Sequence, residues 1–177
     1  RMINDGFNCK NNHFNYAPTS TGPGHASVYT GTTPATHGVI GNNWYEKVSD
    51  VSVYCAADEN YASVGTESSA GKMSPHRMNV TTITDELRLH TQMRGKTIAI
   101  ALKDRGAVLP GGHTANAAYW FHGEDEGKWI SSSFYMDNLP AWLNELNNSN
   151  STNTVSNVVL KSHNCSQHPQ TATKLVK

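Results

Sequence analysis

Apolar positions fall along this chain in short, separate runs bounded by glycine, proline or asparagine, and their spacing changes from one run to the next. From Phe7 to Tyr16 they alternate loosely and stop at Ala17-Pro18, which predicts a short strand leading into the turn Thr19-Ser20-Thr21-Gly22-Pro23-Gly24. Pro23 suits a first helical turn, and His25 to Thr30 continue it until Gly31 and Pro34 stop it. Thr21 is therefore expected at or just before a helix N-terminus. A second helix opens on Thr82-Ile83-Thr84-Asp85-Glu86, a hydroxyl followed by acids, with Ile83, Leu87, Leu89 and Met93 on an apolar side and Gly95 as its end. The run Thr97-Ile98-Ala99-Ile100-Ala101-Leu102 is short and continuously apolar, which predicts a strand buried on both faces in a parallel sheet between helices. Ala117–Phe121 and Trp129–Tyr135 flank the polar segment Gly123-Glu124-Asp125-Glu126-Gly127 as a hairpin, and Leu139–Leu146 reads as a short helix with Pro140 near its start.

Beyond residue 146 the pattern fades. Residues 147–177 contain no aromatic side chain and one apolar cluster, Val155 to Leu160, so they are expected to form a divergent or poorly structured tail behind a single unit of residues 1–146. A length of 177 residues fits one domain with a real core. Fourteen Lys plus Arg balance fourteen Asp plus Glu, which withholds the basic field that nucleic acid or an anionic membrane would need. No window approaches the ~20 apolar residues of a membrane span. Cys9, Cys55 and Cys165 form no CxxC pair, and His163, Cys165 and His168 match no standard zinc spacing. Asn79, Asn147, Asn150 and Asn164 stand in Asn-Xaa-Ser/Thr triplets, which matter only in a glycosylating compartment.

Three local features carry chemistry. Thr21 places a hydroxyl where a helix N-terminus offers unpaired N–H groups and positive charge, which favour its alkoxide and any anion beside it; capping by Thr19, Ser20 and Thr21 is the structural alternative. Lys103 and Arg105 directly follow the run ending at Leu102, the edge of an open α/β sheet where ligands collect, and their donors suit the terminal oxygens of a phosphate monoester. A solvated loop balanced by Asp104 is the alternative there. Asn42, after Gly38-Val39-Ile40-Gly41, offers an amide donor to an oxyanion or simply makes a turn. Neither a P-loop nor a dinucleotide loop nor a G-x-S-x-G elbow is present.

Taken together, Asn15 to Tyr45 (NYAPTSTGPGHASVYTGTTPATHGVIGNNWY) resembles the nucleophile region of the bacterial phosphate-irrepressible alkaline phosphatases. Val64–Pro75 (VGTESSAGKMSP), Thr81–Leu89 (TTITDELRL) and Ala101–Phe121 (ALKDRGAVLPGGHTANAAYWF) extend the resemblance in family order, so that it covers about Asp5 to Leu146. The resemblance implies a partial alkaline-phosphatase-like α/β fold, mostly parallel sheet flanked by helices with a β-hairpin insertion. It also implies phosphomonoester hydrolysis with two zinc ions. By motif, Thr21 resembles the threonine that becomes phosphorylated and touches one zinc, Asn42 the asparagine that contacts a phosphoryl oxygen, and Lys103 and Arg105 the cations that hold the non-bridging oxygens. The family's other zinc ligands have no counterpart here, so the chain is expected to be an N-terminal fragment, incomplete by itself. The expected partner is a small phosphorylated substrate, with no nucleic acid or membrane, and the expected location is periplasmic or secreted. The alternatives are a phosphodiesterase or nucleotide pyrophosphatase, and a non-catalytic remnant that binds an anion or a partner.

Overall fold

The computed structural model describes residues 5–7, 9–123 and 126–149. Its elements are α1 (Thr21–Thr30), α2 (Pro34–His37), β1 (Asn43–Glu46), β2 (Val51–Tyr54), β3 (Ser63–Val64), a 3-10 turn (Ser69–Gly71), α3 (Ile83–His90), β4 (Ile98–Ala101), α4 (Asp104–Gly111), β5 (Ala117–His122), β6 (Lys128–Ser132) and α5 (Ala141–Asn148). The strands form a β1-β2 hairpin and a four-stranded sheet in the order β3-β6-β5-β4.

The α/β class holds, but the sheet is mixed rather than mostly parallel. Its one parallel pair among the described residues is β4 with β5; β5–β6 and β3–β6 are antiparallel. The polar turn after His122 is too short for a crossover, so β6 must return beside β5 in the opposite sense. The expected hairpin is thus not an insertion but the middle of the sheet.

Every residue of β5 except His122 is buried, and its alternation supplies two faces. Ala118, Trp120 and Ile130 pack with Ala26, Val39, Met78, Ala107, Val108 and Leu109 under α1 and α4. Ala117 and Tyr119 pack with Val64, Leu139 and Leu143 beneath α5. That second cover does not reach β4. Ala99 and Ala101 face the first core, whereas Ile98 and Ile100 are 60% and 61% exposed, so among the described residues β4 is an edge strand with one open face and not the doubly buried strand that its composition suggests.

Among the described residues from 5 to 20 no strand forms where the alternation from Phe7 predicts one. Phe7 is exposed and no strand among the described residues pairs with the segment, whose Tyr16 hydroxyl donates to the Pro23 carbonyl. Helix α5 continues through Asn148, and the Asn147 amide bonds both the N–H and the carbonyl of Trp129. The remainder of the expected tail, with Val155–Leu160 and His163, Cys165 and His168, lies outside the described residues.

Asp85 shows how local and long-range signals coincide. Thr82 and Asp85 close the capping box of α3, and the other Asp85 oxygen accepts the N–H and hydroxyl of Thr114. Burial alone would raise this carboxyl, but hydrogen bonds from His113, Thr82 and Thr114 hold it well below the usual carboxylate range, while the same carboxylate raises His113. The Asp85 contribution to stability is therefore present above about pH 4 and lost in stronger acid. The His113 contribution is complete below about pH 6.5 and declines as pH rises through its elevated folded-state value. The thermal midpoint is expected to fall from pH 6 to 8 by more in the natural protein than in His113→Gln. Equal slopes would remove His113 from the account.

Gly112 packs against this cluster with φ of +72°, and a Cβ there would collide with the Asp85 carboxylate and the Thr82 hydroxyl. Gly112→Ala is expected to cost about 3 kcal/mol in denaturant unfolding, from left-handed backbone strain and displacement of a buried carboxylate.

Candidate active site

Helix α1 begins at Thr21 for reasons visible in its first turn. Ser20 takes the extended N-cap conformation with φ of −71° and ψ of 169°, but neither its hydroxyl nor any other side chain caps the helix in the ordinary way. The Ser20 hydroxyl is buried without a hydrogen-bond partner among the described residues. The capping explanation for Thr19-Ser20-Thr21 therefore fails, and the Gly22 N–H is satisfied from a distant loop: it donates to Asn42 Oδ1 at 2.7 Å. An N–H can only donate, so the acceptor must be the amide oxygen, and the Asn42 Nδ2 donors have no partner among the described residues. A side chain at position 22 would meet Asn42 Oδ1, the Gly41 carbonyl and Cys55 Sγ at 3.1, 3.1 and 3.2 Å, so glycine is what lets these three groups crowd the start of α1.

The β1-β2 hairpin delivers the next pieces. Asn43 pairs with Tyr54, and just outside that pair the Cys55 N–H donates to the Asn42 carbonyl at 2.9 Å. Asn42 and Tyr54 thus sit at the hairpin's base beside the N-terminus of α1. Burial, with the charge of Asp104, pushes the Cys55 thiol up to about 12, so it remains a protonated packing group and not a rival nucleophile.

Strand β4 leads through Leu102 to Lys103, which is the exposed, extended N-cap of α4 and lies just past the carboxyl end of the strand, as expected. Arg105 lies in the first turn of α4. Its Nη1 donates to the Tyr54 hydroxyl at 2.7 Å, that hydroxyl donates to Asp104 Oδ1 at 2.6 Å, and Asp104 also accepts the Arg105 backbone N–H at 2.6 Å. Helices α1 and α4 pack through Ala26 and Ala107, and a Cβ at Gly106 would come 3.9 Å from His25 Nε2, one turn along from Thr21.

The fold therefore gathers Asn42 directly against the first turn of α1, and Arg105 through Tyr54 at the same hairpin base. Lys103 is placed by its backbone position at the adjoining helix start. Two helix N-termini and a guanidinium make this corner suited to a tetrahedral anion. Tyr54 and Asp104 are site residues that the sequence pattern did not reveal, because their partnership spans fifty positions. A separate polar concavity of about 590 Å³ lies near Gly65, Glu67, Glu126, Asp137 and Asn144, apart from this corner.

The sequence profile of the type I phosphodiesterase / nucleotide pyrophosphatase family matches residues 1–170. The chain belongs to that family. It is 50% identical over 147 residues to the alkaline phosphatase PhoV of Synechococcus elongatus, covering 83% of this chain and 26% of PhoV. To the alkaline phosphatase PafA of Elizabethkingia meningoseptica it is 45% identical over 151 residues, covering 85% and 28%. The chain spans about a quarter of the length of these relatives. The crystal structure of wild-type PafA superposes with a TM-score of 0.75 at 45% identity over 77% of this chain and 26% of that one. A PafA variant with one threonine, one asparagine, one lysine and one arginine substituted matches equally well. Membership of the phosphodiesterase/pyrophosphatase family thus joins an α/β fold to relatives named as alkaline phosphatases.

Relatives of this kind imply a metal cofactor. Among the described residues, no three His, Cys, Asp or Glu side chains converge in a way that could hold one. Thr21 offers a single oxygen, so these residues do not by themselves make a metal site.

Proposed function

We propose that this chain carries the nucleophile and the phosphoryl-binding half of a phosphomonoesterase that works through a phosphothreonine intermediate. The observation that carries the reading is Asn42 Oδ1 on the Gly22 N–H, since it replaces an ordinary cap with a residue that still has amide donors to offer an anion. The substituted PafA supports it: its threonine and asparagine, and its lysine and arginine, are separated by the same numbers of positions as Thr21 and Asn42, and Lys103 and Arg105.

In the proposed reaction the Thr21 hydroxyl gives up its proton to solvent and its oxygen bonds to phosphorus as the ester oxygen leaves with its electron pair and takes up a proton; a water oxygen then bonds to phosphorus, losing a proton, as the Thr21 oxygen leaves and is reprotonated, which frees phosphate. The N-terminus of α1 favours negative charge at the Thr21 oxygen, the Asn42 Nδ2 donates to a phosphoryl oxygen, and Lys103 and Arg105 hold the charge of the others. Zinc belongs to this proposal, two ions with Thr21 as one ligand and the rest supplied from outside the described residues. Export to the periplasm or beyond the cell, with small phosphate esters as substrates, completes it.

The test compares an aryl phosphate monoester with its methyl diester, using the gene product that contains this chain expressed in full. The monoester is expected to have the higher kcat/KM. A preference for the diester would favour the phosphodiesterase reading, and no hydrolysis of either would favour a binding remnant.

A further inference from the structure

Arg105 is held by a contact that phosphate binding itself does not require. The Tyr54 hydroxyl has one proton, and Asp104 Oδ1 at 2.6 Å can only accept it. The phenol oxygen is thereby left with its lone pairs for Arg105 Nη1 at 2.7 Å, and the guanidinium carbon lies 5.8 Å from the Tyr54 ring centroid. One edge of the guanidinium is therefore committed to the protein. Its Nε, by contrast, is buried and has no hydrogen-bond partner among the described residues. Nε and Nη2 lie side by side on a guanidinium and make one of the two forks that grip a pair of oxygens.

We propose that Tyr54, oriented by Asp104, is a positioning residue that presents the Nε/Nη2 edge of Arg105 to two phosphoryl oxygens and so sets the preference for a monoester dianion over a diester. The inference rests on the assignment of Arg105 to the phosphoryl group made above. A dianion spreads more charge over more terminal oxygens than a diester does, so it gains more from a fork held in place. Without Tyr54 the same guanidinium must be ordered from a flexible set of rotamers each time an anion binds, at the expense of affinity.

The test uses the full gene product as natural protein, Tyr54→Phe, Arg105→Ala and the double variant. Phenylalanine keeps the ring packed and removes only the hydroxyl. Each is measured for kcat/KM on the monoester and on the methyl diester, for inhibition by inorganic phosphate, and for thermal midpoint. Tyr54→Phe is expected to lower monoester kcat/KM and phosphate affinity by about tenfold, to change diester kcat/KM by less than about threefold, and to have no further effect once Arg105 is alanine. Equal losses on both esters, no loss on the monoester, or the same loss in the Arg105→Ala background would overturn the proposal. If Arg105→Ala itself spares both monoester cleavage and phosphate inhibition, the assignment of Arg105 has failed rather than the role of Tyr54.

Discussion

Thr21→Ala is expected to reduce monoester hydrolysis by the full gene product about a thousandfold or more, while Thr21→Ser retains a substantial part of it. The reason lies in the construction of the helix start. Thr21 is the first residue of α1, its neighbour Ser20 provides no cap, and Gly22 is engaged by Asn42, so the threonine stands at a helix N-terminus next to the residue that binds the Asn42 side chain. Alanine keeps the helix and removes the atom proposed to bond to phosphorus. Serine keeps that atom. Stopped-flow mixing with an aryl phosphate, followed by trapping of labelled enzyme, separates the two outcomes: label on the natural protein and on Thr21→Ser, none on Thr21→Ala. Labelling of Thr21→Ala would place the nucleophile elsewhere.

Lys103→Ala and Arg105→Ala carry the second large effect, about a hundredfold each on monoester kcat/KM and less than about tenfold on the methyl diester. The double variant is expected to lose less than the product of the two, because both cations are proposed to serve the same phosphoryl group. Arg105→Lys is expected to recover little, since an ammonium can donate to the Tyr54 hydroxyl but cannot offer a fork. Uniform losses on monoester and diester would show that the two cations support the helix start and do not discriminate between esters.

Much of this arrangement is legible in a single strand of text. The Pro23 turn, Gly31 and Pro34 mark the ends of α1, the Thr82/Asp85 capping box marks α3, and the polar turn before β6 forces a hairpin. Each of these signals acts between residues only a few positions apart, through backbone hydrogen bonds, fixed proline geometry or helix charge, so composition and spacing suffice to read them. The same holds for Thr21 at a helix start and for Lys103 past a strand end. The resemblance in motifs then joined them to Asn42 and Arg105.

Other features were decided only by tertiary structure. Alternation from Phe7 suggests a strand, yet a strand needs a partner edge, and none among the described residues reaches that segment. The apolar run at Ile98 suggested burial on both faces, but α5 covers β5 and β6 and leaves Ile98 and Ile100 open. Whether an apolar side chain is buried depends on what packs over it, which periodicity does not specify. The β1-β2 hairpin went unread, and with it the meeting of Asn42, Cys55 and Tyr54 at its base. The role of Asp104 changed most: as text it is a charge that neutralises its neighbours, whereas in the fold it fixes the proton of Tyr54, fifty residues away, and through it one edge of Arg105. Residue types and local spacing thus determined which elements form and which groups are candidates for chemistry, while their orientation was set by contacts between distant segments, because a hydrogen bond depends on where two atoms lie in space and not on how far apart they stand along the chain.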